Sequence, residues 1–271
     1  MKISIVGCGW LGQPLALRLK ECGHNIVATS RSEQKCQALS KMGLEAIKFE
    51  LGDNLDAASL SPIFNSQILI LNIPVGRKSV THDSFTLGIQ SFLEQANKAK
   101  INKVVFVSTT SVYGSEDKIV TEQSLTEPET LSGKINLAIE ALVTKQFPSN
   151  SAIMRLSGLV NSDRHPVKYL AGKVDLQNPN AKVNLIHQED VISAIEHVIE
   201  KALWGQTFHL SALMHPTRKD YYTWSAAQLG LPEPSFINCD TAPAGKEVNA
   251  NQSLKELGLT LKYPSPYDMI G

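Results

Sequence analysis

Strand and helix signals alternate strictly over the first 157 residues, and a glycine-rich turn follows the first apolar run directly. A later run, "QILILNI", has the apolar character of a strand covered on both faces. Together these predict an α/β, doubly wound parallel sheet with helices on both faces, right-handed crossovers and a small C-terminal cap.

In chain order, "KISIV" (2–6) reads as a buried strand, and residues 13–22 as a helix with Leu15, Leu19 and Cys22 on one face. "NIVATS" (25–30) is a second strand and 33–41 a second helix. "EAIKF" (45–49) and "QILILNI" (67–73) are the third and fourth strands. A long helix fits 83–99, followed by the strand "KVVFVS" (103–108), a helix over 131–146 and the strand "AIMRLS" (152–157). Beyond this the rhythm loosens. "HPVKYLAG" reads as a short helix, "KVNLIH" as a strand, "QEDVISAIEHVIEKAL" as a helix with an acid-rich first turn, and "QTFHLS" as a strand. A helix over 217–229 ends at Gly230, and residues 232–252, rich in Pro, Gly and Asn, read as irregular. The expected division is a dinucleotide-binding core over 1–160, then the remaining core elements (about 183–210) with the cap in 161–271.

Composition narrows the function classes. The 271 residues carry 26 Lys and Arg against 26 Asp and Glu, so no basic surplus points to nucleic acid. No apolar stretch approaches the roughly 20 residues that span a bilayer. The N-terminal apolar run is too short for a signal peptide and is ended by glycines. A cytoplasmic protein with a small-molecule substrate is expected; a homodimer is compatible with the sequence. Cys8, Cys22, Cys36 and Cys239 form no Cys-x-x-Cys and no zinc-ligand spacing, so no metal is expected and the thiols read as small packed apolar groups.

The first turn, Gly7-Cys8-Gly9-Trp10-Leu11-Gly12, follows a strand and opens a helix, as a dinucleotide grip requires. Gly7 permits the tight turn, Gly9 lets backbone approach a pyrophosphate, and Gly12 lets helix and strand pack closely. Trp10 and Leu11 belong to the same cofactor-binding turn, where the helix N-terminus offers N–H groups and positive dipole to phosphate. The alternative is a turn that binds nothing. At the end of the second strand, where an NAD site usually carries a carboxylate, stands Thr29-Ser30-Arg31-Ser32. An arginine flanked by the hydroxyls of Ser30 and Ser32 suits a 2′-phosphate. NADP(H) is therefore the preferred cofactor, with NAD(H) admissible; the bland reading of Arg31 is a solvated surface residue.

Further stations are "LGD" (51–53), "VFVSTTSVYG" (105–114), "TEQSLTEP" (121–128), "MRLSGL" (154–159) and "NLIHQEDVISAI" (184–195). With the glycine turn, they make the chain resemble the extended short-chain dehydrogenases of the NAD-dependent epimerase/dehydratase family over nearly its whole length. The resemblance implies a Rossmann-type fold, hydride transfer by a nicotinamide cofactor, and a small metabolite, commonly a nucleotide sugar, as substrate. It places Asp53 at the adenine and Thr109, four residues before Tyr113, as the hydroxyl that orients the substrate oxygen. The family's Tyr-x-x-x-Lys pair is absent: one register puts Ser132 and Asn136 there, another Thr130 and Lys134. Only the atypical branch tolerates this. "GLVNSDR" also lacks the relatives' Tyr-Gly-Pro-Gly.

A serine at 132 is a poor proton donor, because its hydroxyl pKa lies far above the working range. Tyr113 and His187 are the other candidates. Their structural alternatives are a packed phenol with a satisfied hydroxyl and a strand-end imidazole bonded to backbone. Lys134 holds the ribose or is solvated. Arg164 and His165 bind an anionic substrate group or form a surface turn, Asp53 is a ligand or a turn residue, and Asp190 braces the helix near 189. Two functions follow: an NADP(H)-dependent oxidoreductase or epimerase, or a non-catalytic NADP(H)-binding redox sensor.

Overall fold

The computed structural model describes residues 1–75, 82–238, 241 and 243–270. Cys239 lies outside them. The first part of the chain runs β1 (Lys2–Val6), α1 (Gly12–Glu21), β2 (Asn25–Ser30), α2 (Glu33–Lys41), β3 (Glu45–Lys48), α3 (Ser61–Phe64), β4 (Ile68–Leu71), α4 (His82–Lys98) and β5 (Lys103–Thr109). Next come β6 (Ile119–Val120), α5 (Leu131–Gln146), β7 (Ser151–Leu156), β8 (Gly158–Val160), α6 (Val167–Leu170), β9 (Leu185–His187) and α7 (Gln188–Glu200). The chain closes with β10 (Gln206–Leu210), α8 (Arg218–Gln228), β11 (Glu247–Val248) and α9 (Asn251–Leu257).

The chain forms two compact units. The first comprises Met1–Ser108, Thr130–Met154 and Ile195–Thr207; the second comprises Thr109–Glu129, Arg155–Ala194 and Phe208–Gly271. The parallel sheet has the order β10-β7-β5-β4-β1-β2-β3 among the described residues, and the first unit carries most of it. The order reverses between β1 and β4, the switch point beside which ligands bind in such sheets. Ile68, Leu69, Ile70 and Leu71 of β4 are all buried, which is why that run shows no polar alternation. Phe92 of α4 is fully buried and packs its ring 5.2 Å from Phe49 and 5.1 Å from Phe64. Ser4, inside β1, is tolerated because its hydroxyl donates to Ile63 O at 2.8 Å.

The second unit packs around Tyr221, fully buried on α8 among Val160, Val167, Leu185 and Met269. Two small parallel pairings, β8 with β9 and β6 with β11, support it. Asp190, in the first turn of α7, accepts the backbone N–H groups of Lys262 (2.7 Å) and Tyr263 (3.2 Å). Burial pushes its pKa up and those two bonds pull it down. It is a brace, as the sequence suggests.

Some boundaries differ from expectation. The strand expected over 182–187 is confined to Leu185–His187, because only there does β8 run alongside. β8 itself was not expected: its three residues are too short to show a period. The tail over 232–252 is not wholly irregular, since β11 and the start of α9 lie in it. Cys8 and Cys36 are buried as expected, and burial raises the Cys8 thiol pKa to about 12. Cys22 is exposed instead, its thiol donating to Glu196 Oε1 at 2.9 Å.

Candidate functional site

In the first unit the glycine turn has the shape its spacing predicts. Gly7 has φ +97°, and a Cβ there would stand 2.3 Å from Asn72 O. A Cβ on Gly12 would stand 2.5 Å from Gly7 O. A Cβ on Gly9, in contrast, would approach nothing closer than 4.0 Å. Two glycines are thus needed by the protein's own packing, and the third keeps open space at the head of α1. No side chain caps α1 and no acid occupies its first turn, so its positive end is not answered by side-chain charge. Trp10 is half-buried and Leu11 buried at this corner.

Asn72 was not singled out by its sequence. Its Nδ2 donates to Gly7 O at 3.0 Å, and its backbone N–H donates to Val6 O at 2.8 Å. It thereby fastens the turn to the end of β4, across the switch point. The available signal was a polar residue directly behind a fully apolar strand. From β2, Thr29 Oγ1 accepts the Gly7 N–H at 3.1 Å and holds the turn from the other side.

Arg31 projects from the end of β2 with 77% of its side chain exposed and its Nη1 3.8 Å from Glu50 Oε1. Ser32 caps α2, accepting from Lys35 N, and Ser30 Oγ accepts from Ser32 N. Both hydroxyls can still turn to a ligand beside Arg31. Asp53 Oδ2 accepts the Glu50 N–H at 2.8 Å, so one carboxylate oxygen serves a turn. On α5, Thr130 is the N-cap, its Oγ1 accepting from Gly133 N at 3.0 Å. Ser132 and Lys134 are exposed in the first turns, and Asn136 Nδ2 donates to Ser132 O at 2.8 Å. Among the described residues, no hydrogen bond or ion pair joins Ser132 or Lys134 to the glycine turn.

The second unit holds the hydroxyl turn that follows β5. Thr109 Oγ1 accepts from Ser111 N and donates to Ser111 Oγ, both at 3.1 Å. That leaves the Ser111 hydroxyl hydrogen to donate elsewhere, so Ser111 joins Thr109 as a polar group of the turn. Tyr113 is fully buried. Its hydroxyl accepts from Arg155 Nη1 and bonds His209 Nε2 at 2.6 Å. Because His209 Nδ1 faces Asn249 O at 3.1 Å, that nitrogen carries the hydrogen and Nε2 accepts the phenol proton. Tyr113 therefore matches its structural alternative, a packed phenol with both hydroxyl capacities in use.

Lys246, from the tail read as irregular, reaches this turn. Its Nζ donates to Thr110 O (2.8 Å) and Gly114 O (2.6 Å), and burial lowers its pKa. A lone lysine among glycine and alanine gives no sequence signal for such a role.

His187 stacks on Tyr263 at 3.7 Å between centroids, and its Nδ1 accepts from Glu189 N at 3.3 Å. The hydrogen therefore sits on Nε2, and burial lowers the imidazole's pKa. His165 is buried; Nδ1 accepts from Val167 N at 3.2 Å and Nε2 donates to the Tyr221 hydroxyl at 2.8 Å. That hydroxyl donates in turn to Pro266 O at 3.0 Å. Both ring nitrogens are thus committed within the unit, leaving none for an anionic substrate group. Arg164 is exposed in a turn closed by Asn161, whose Oδ1 accepts from Arg164 N at 2.8 Å. No hydrogen bond joins His187 to Thr109 among the described residues.

A switch-point sheet with a cofactor-shaped glycine turn defines a dinucleotide-binding α/β protein. Residues 3–210 match the NAD dependent epimerase/dehydratase family, and the chain belongs to it. It is 30% identical over 270 residues to Protein YeeZ of Escherichia coli K12, covering 99% of this chain and 98% of that protein. It is 24% identical over 250 residues to the dTDP-D-glucose 4,6-dehydratase of Dictyostelium discoideum, covering 77% of this chain and 58% of that enzyme. Among solved structures, UDP-glucuronic acid 4-epimerase from Bacillus cereus in complex with NAD superposes with TM-score 0.81 at 17% identity, over 99% of this chain and 94% of that one. Family membership supports a nicotinamide cofactor and an oxidoreductase-like function. Among the described residues no helix is long and apolar enough to cross a membrane.

Proposed function

We propose that this protein is an NADP(H)-preferring oxidoreductase acting on a small metabolite, a sugar or nucleotide sugar, by cofactor hydride transfer. The observation that carries the reading is the contrast among the three glycines, two packed against backbone and one facing open space at an uncapped helix end. By their names, the dehydratase and the epimerase to which the chain is similar act on nucleotide sugars, which supports the substrate class. Bound at this turn, the cofactor supplies the hydride chemistry. Arg31, with Ser30 and Ser32 beside it, binds the 2′-phosphate. Lys134 reaches the ribose and Asp53 the adenine.

Thr109, with Ser111, orients the substrate oxygen. Tyr113 holds the turn rather than a proton in transit. The proton comes from the His187 imidazolium through Nε2, a form that carries its second hydrogen on Nδ1 and gives up the bond from Glu189 N–H, with Ser132 as the other hydrogen-bearing group. A lowered imidazole pKa makes its cationic form scarce but strongly acidic at neutral pH, so turnover through His187 rises as pH falls. The exposed Ser132 and half-buried Asn136, which in one register stand where the relatives' tyrosine and lysine would be, favour a second reading: an NADP(H)-responsive protein without turnover.

Titrating NADPH and NADH into the wild type and Arg31→Asp tests cofactor choice. NADPH affinity should fall about 10-fold or more, as expected for a lost charge-assisted contact; equal wild-type affinities for the two cofactors would defeat the preference. NADPH oxidation against aldehydes, ketones and keto-sugars then compares Tyr113→Phe, His187→Gln and Ser132→Ala. Loss confined to His187→Gln identifies the donor, by roughly 10²–10⁴-fold. Loss confined to Ser132→Ala moves the role to α5. Tight NADPH binding with no turnover on any carbonyl selects the second reading.

A further inference from the structure

Arg31 and Glu50 stand just past the ends of two adjacent strands. β2 and β3 run parallel with Ser30 opposite Lys48, and Phe49 N–H continues the ladder to Ser30 O at 2.9 Å. The next residue on that side is Glu50, whose Oε1 lies 3.8 Å from Arg31 Nη1. Its backbone is fixed: Glu50 N–H donates to Asp53 Oδ2 at 2.8 Å, and Asp53 N–H donates to Glu50 O at 3.1 Å. Asp53 thus presents the neighbouring carboxylate to the guanidinium. The group read above as the 2′-phosphate ligand already has an anion beside it.

We propose that Glu50 is a specificity-determining residue: its carboxylate competes with the 2′-phosphate of NADP(H) for Arg31 and narrows the preference over NAD(H). The inference rests on the assignment of Arg31 to the 2′-phosphate. A phosphate reaching Arg31 must displace the carboxylate or share the guanidinium with it, and the two anions repel. The pair is exposed, with 77% of the Arg31 and 64% of the Glu50 side chain open to solvent, so it is weak. It cannot exclude a phosphate; it offsets part of what the phosphate gains. NAD(H) brings no anion to this corner, so its affinity is untouched by the competition. Arg31 and Glu50 together set a moderate preference that ionic strength adjusts, because exposed charges are screened over about 10 Å at 0.1 M salt.

The test is calorimetric titration of NADPH and NADH, with 2′,5′-ADP and 5′-AMP as probes of the adenosine end. The proteins are the wild type, Glu50→Gln, Arg31→Ala and the double variant. Glu50→Gln should tighten NADPH and 2′,5′-ADP by roughly 3- to 10-fold at low salt, leaving NADH and 5′-AMP within about 2-fold. The gain should shrink at about 0.5 M salt and vanish in the double variant. If Arg31→Ala weakens NADPH while Glu50→Gln changes nothing, the proposal falls and the Arg31 assignment survives. If Arg31→Ala leaves NADPH unchanged, the assignment falls and takes the proposal with it. Weaker NADH binding by Glu50→Gln would make Glu50 an acceptor for ribose hydroxyls and overturn the competition.

Discussion

At the scale of single residues, the first turn separates what a glycine does for the fold from what it does for a ligand. Gly9→Val places its side chain in open space, so the melting temperature should hold while cofactor binding, followed by NADPH fluorescence, is lost. Gly12→Ala puts a methyl 2.5 Å from the Gly7 carbonyl and should destabilise the protein by about 1–3 kcal/mol in denaturant titration. His165 carries a second residue-scale expectation. Burial lowers its pKa from 6.5 to about 4, so the folded state holds fewer protons than the unfolded state between those values. Stability is therefore complete above about pH 6.5 and is lost as pH falls toward 4, by up to roughly 3 kcal/mol. His165→Gln should flatten that slope in thermal melts taken across the window; an unchanged slope would assign the acid sensitivity to other groups.

At the scale of elements, the turn after β5 and the segment around β11 act together. Lys246 Nζ holds Thr110 O and Gly114 O, while Glu247 N–H donates to Lys118 O, just before β6, and Asn249 N–H to Val120 O on it. Lys246→Met leaves two part-buried carbonyls without this donor. Amide exchange over residues 110–114 should accelerate, stability should drop by about 1–3 kcal/mol, and exchange at Gly7–Gly12 should stay as it was.

This pairing also marks where sequence legibility ends. The elements of the sheet were readable because period and burial are local: β1, β2 and α5 fall where their patterns place them. The glycine turn was readable because strand, turn and helix are contiguous. Lys246 was not, since its partners lie more than 130 residues earlier and nothing local marks a lysine that will cap a distant turn. β8 and β9 were blurred for the same reason: each is a strand only because the other is there. Tyr113 was legible as a motif, but its burial between Arg155 and His209 depends on residues brought from three separate stretches.

At the scale of the whole molecule, the last residues are part of the second unit's core. Met269 is buried in the cluster around Tyr221, Tyr267 meets the Tyr221 ring at 5.5 Å, and a capping box joins Ser265 to Asp268. Removing residues 259–271 strips Asp190 of both backbone donors and uncovers Trp224, whose ring lies 4.7 Å from Tyr267. The truncated protein should lose at least about 3 kcal/mol, since each unmet buried group costs roughly 1–3 kcal/mol. Its tryptophan emission should shift to the red; a truncation as stable as the full chain would show that these contacts are ornamental.

The way the chain threads its two units bears on how it is made. The first unit draws its last stretch from Ile195–Thr207, after the chain has already laid down two stretches of the second. A ribosome working from the N-terminus must therefore deliver residues through Leu210 before the sheet has its outer strand. Until then the β7 edge of the nascent sheet is unpaired, the circumstance in which chaperones hold polypeptides. Neither unit is a cassette that a single cut in the gene would release. Recombination of this protein with its relatives is confined to joints that carry both units across together.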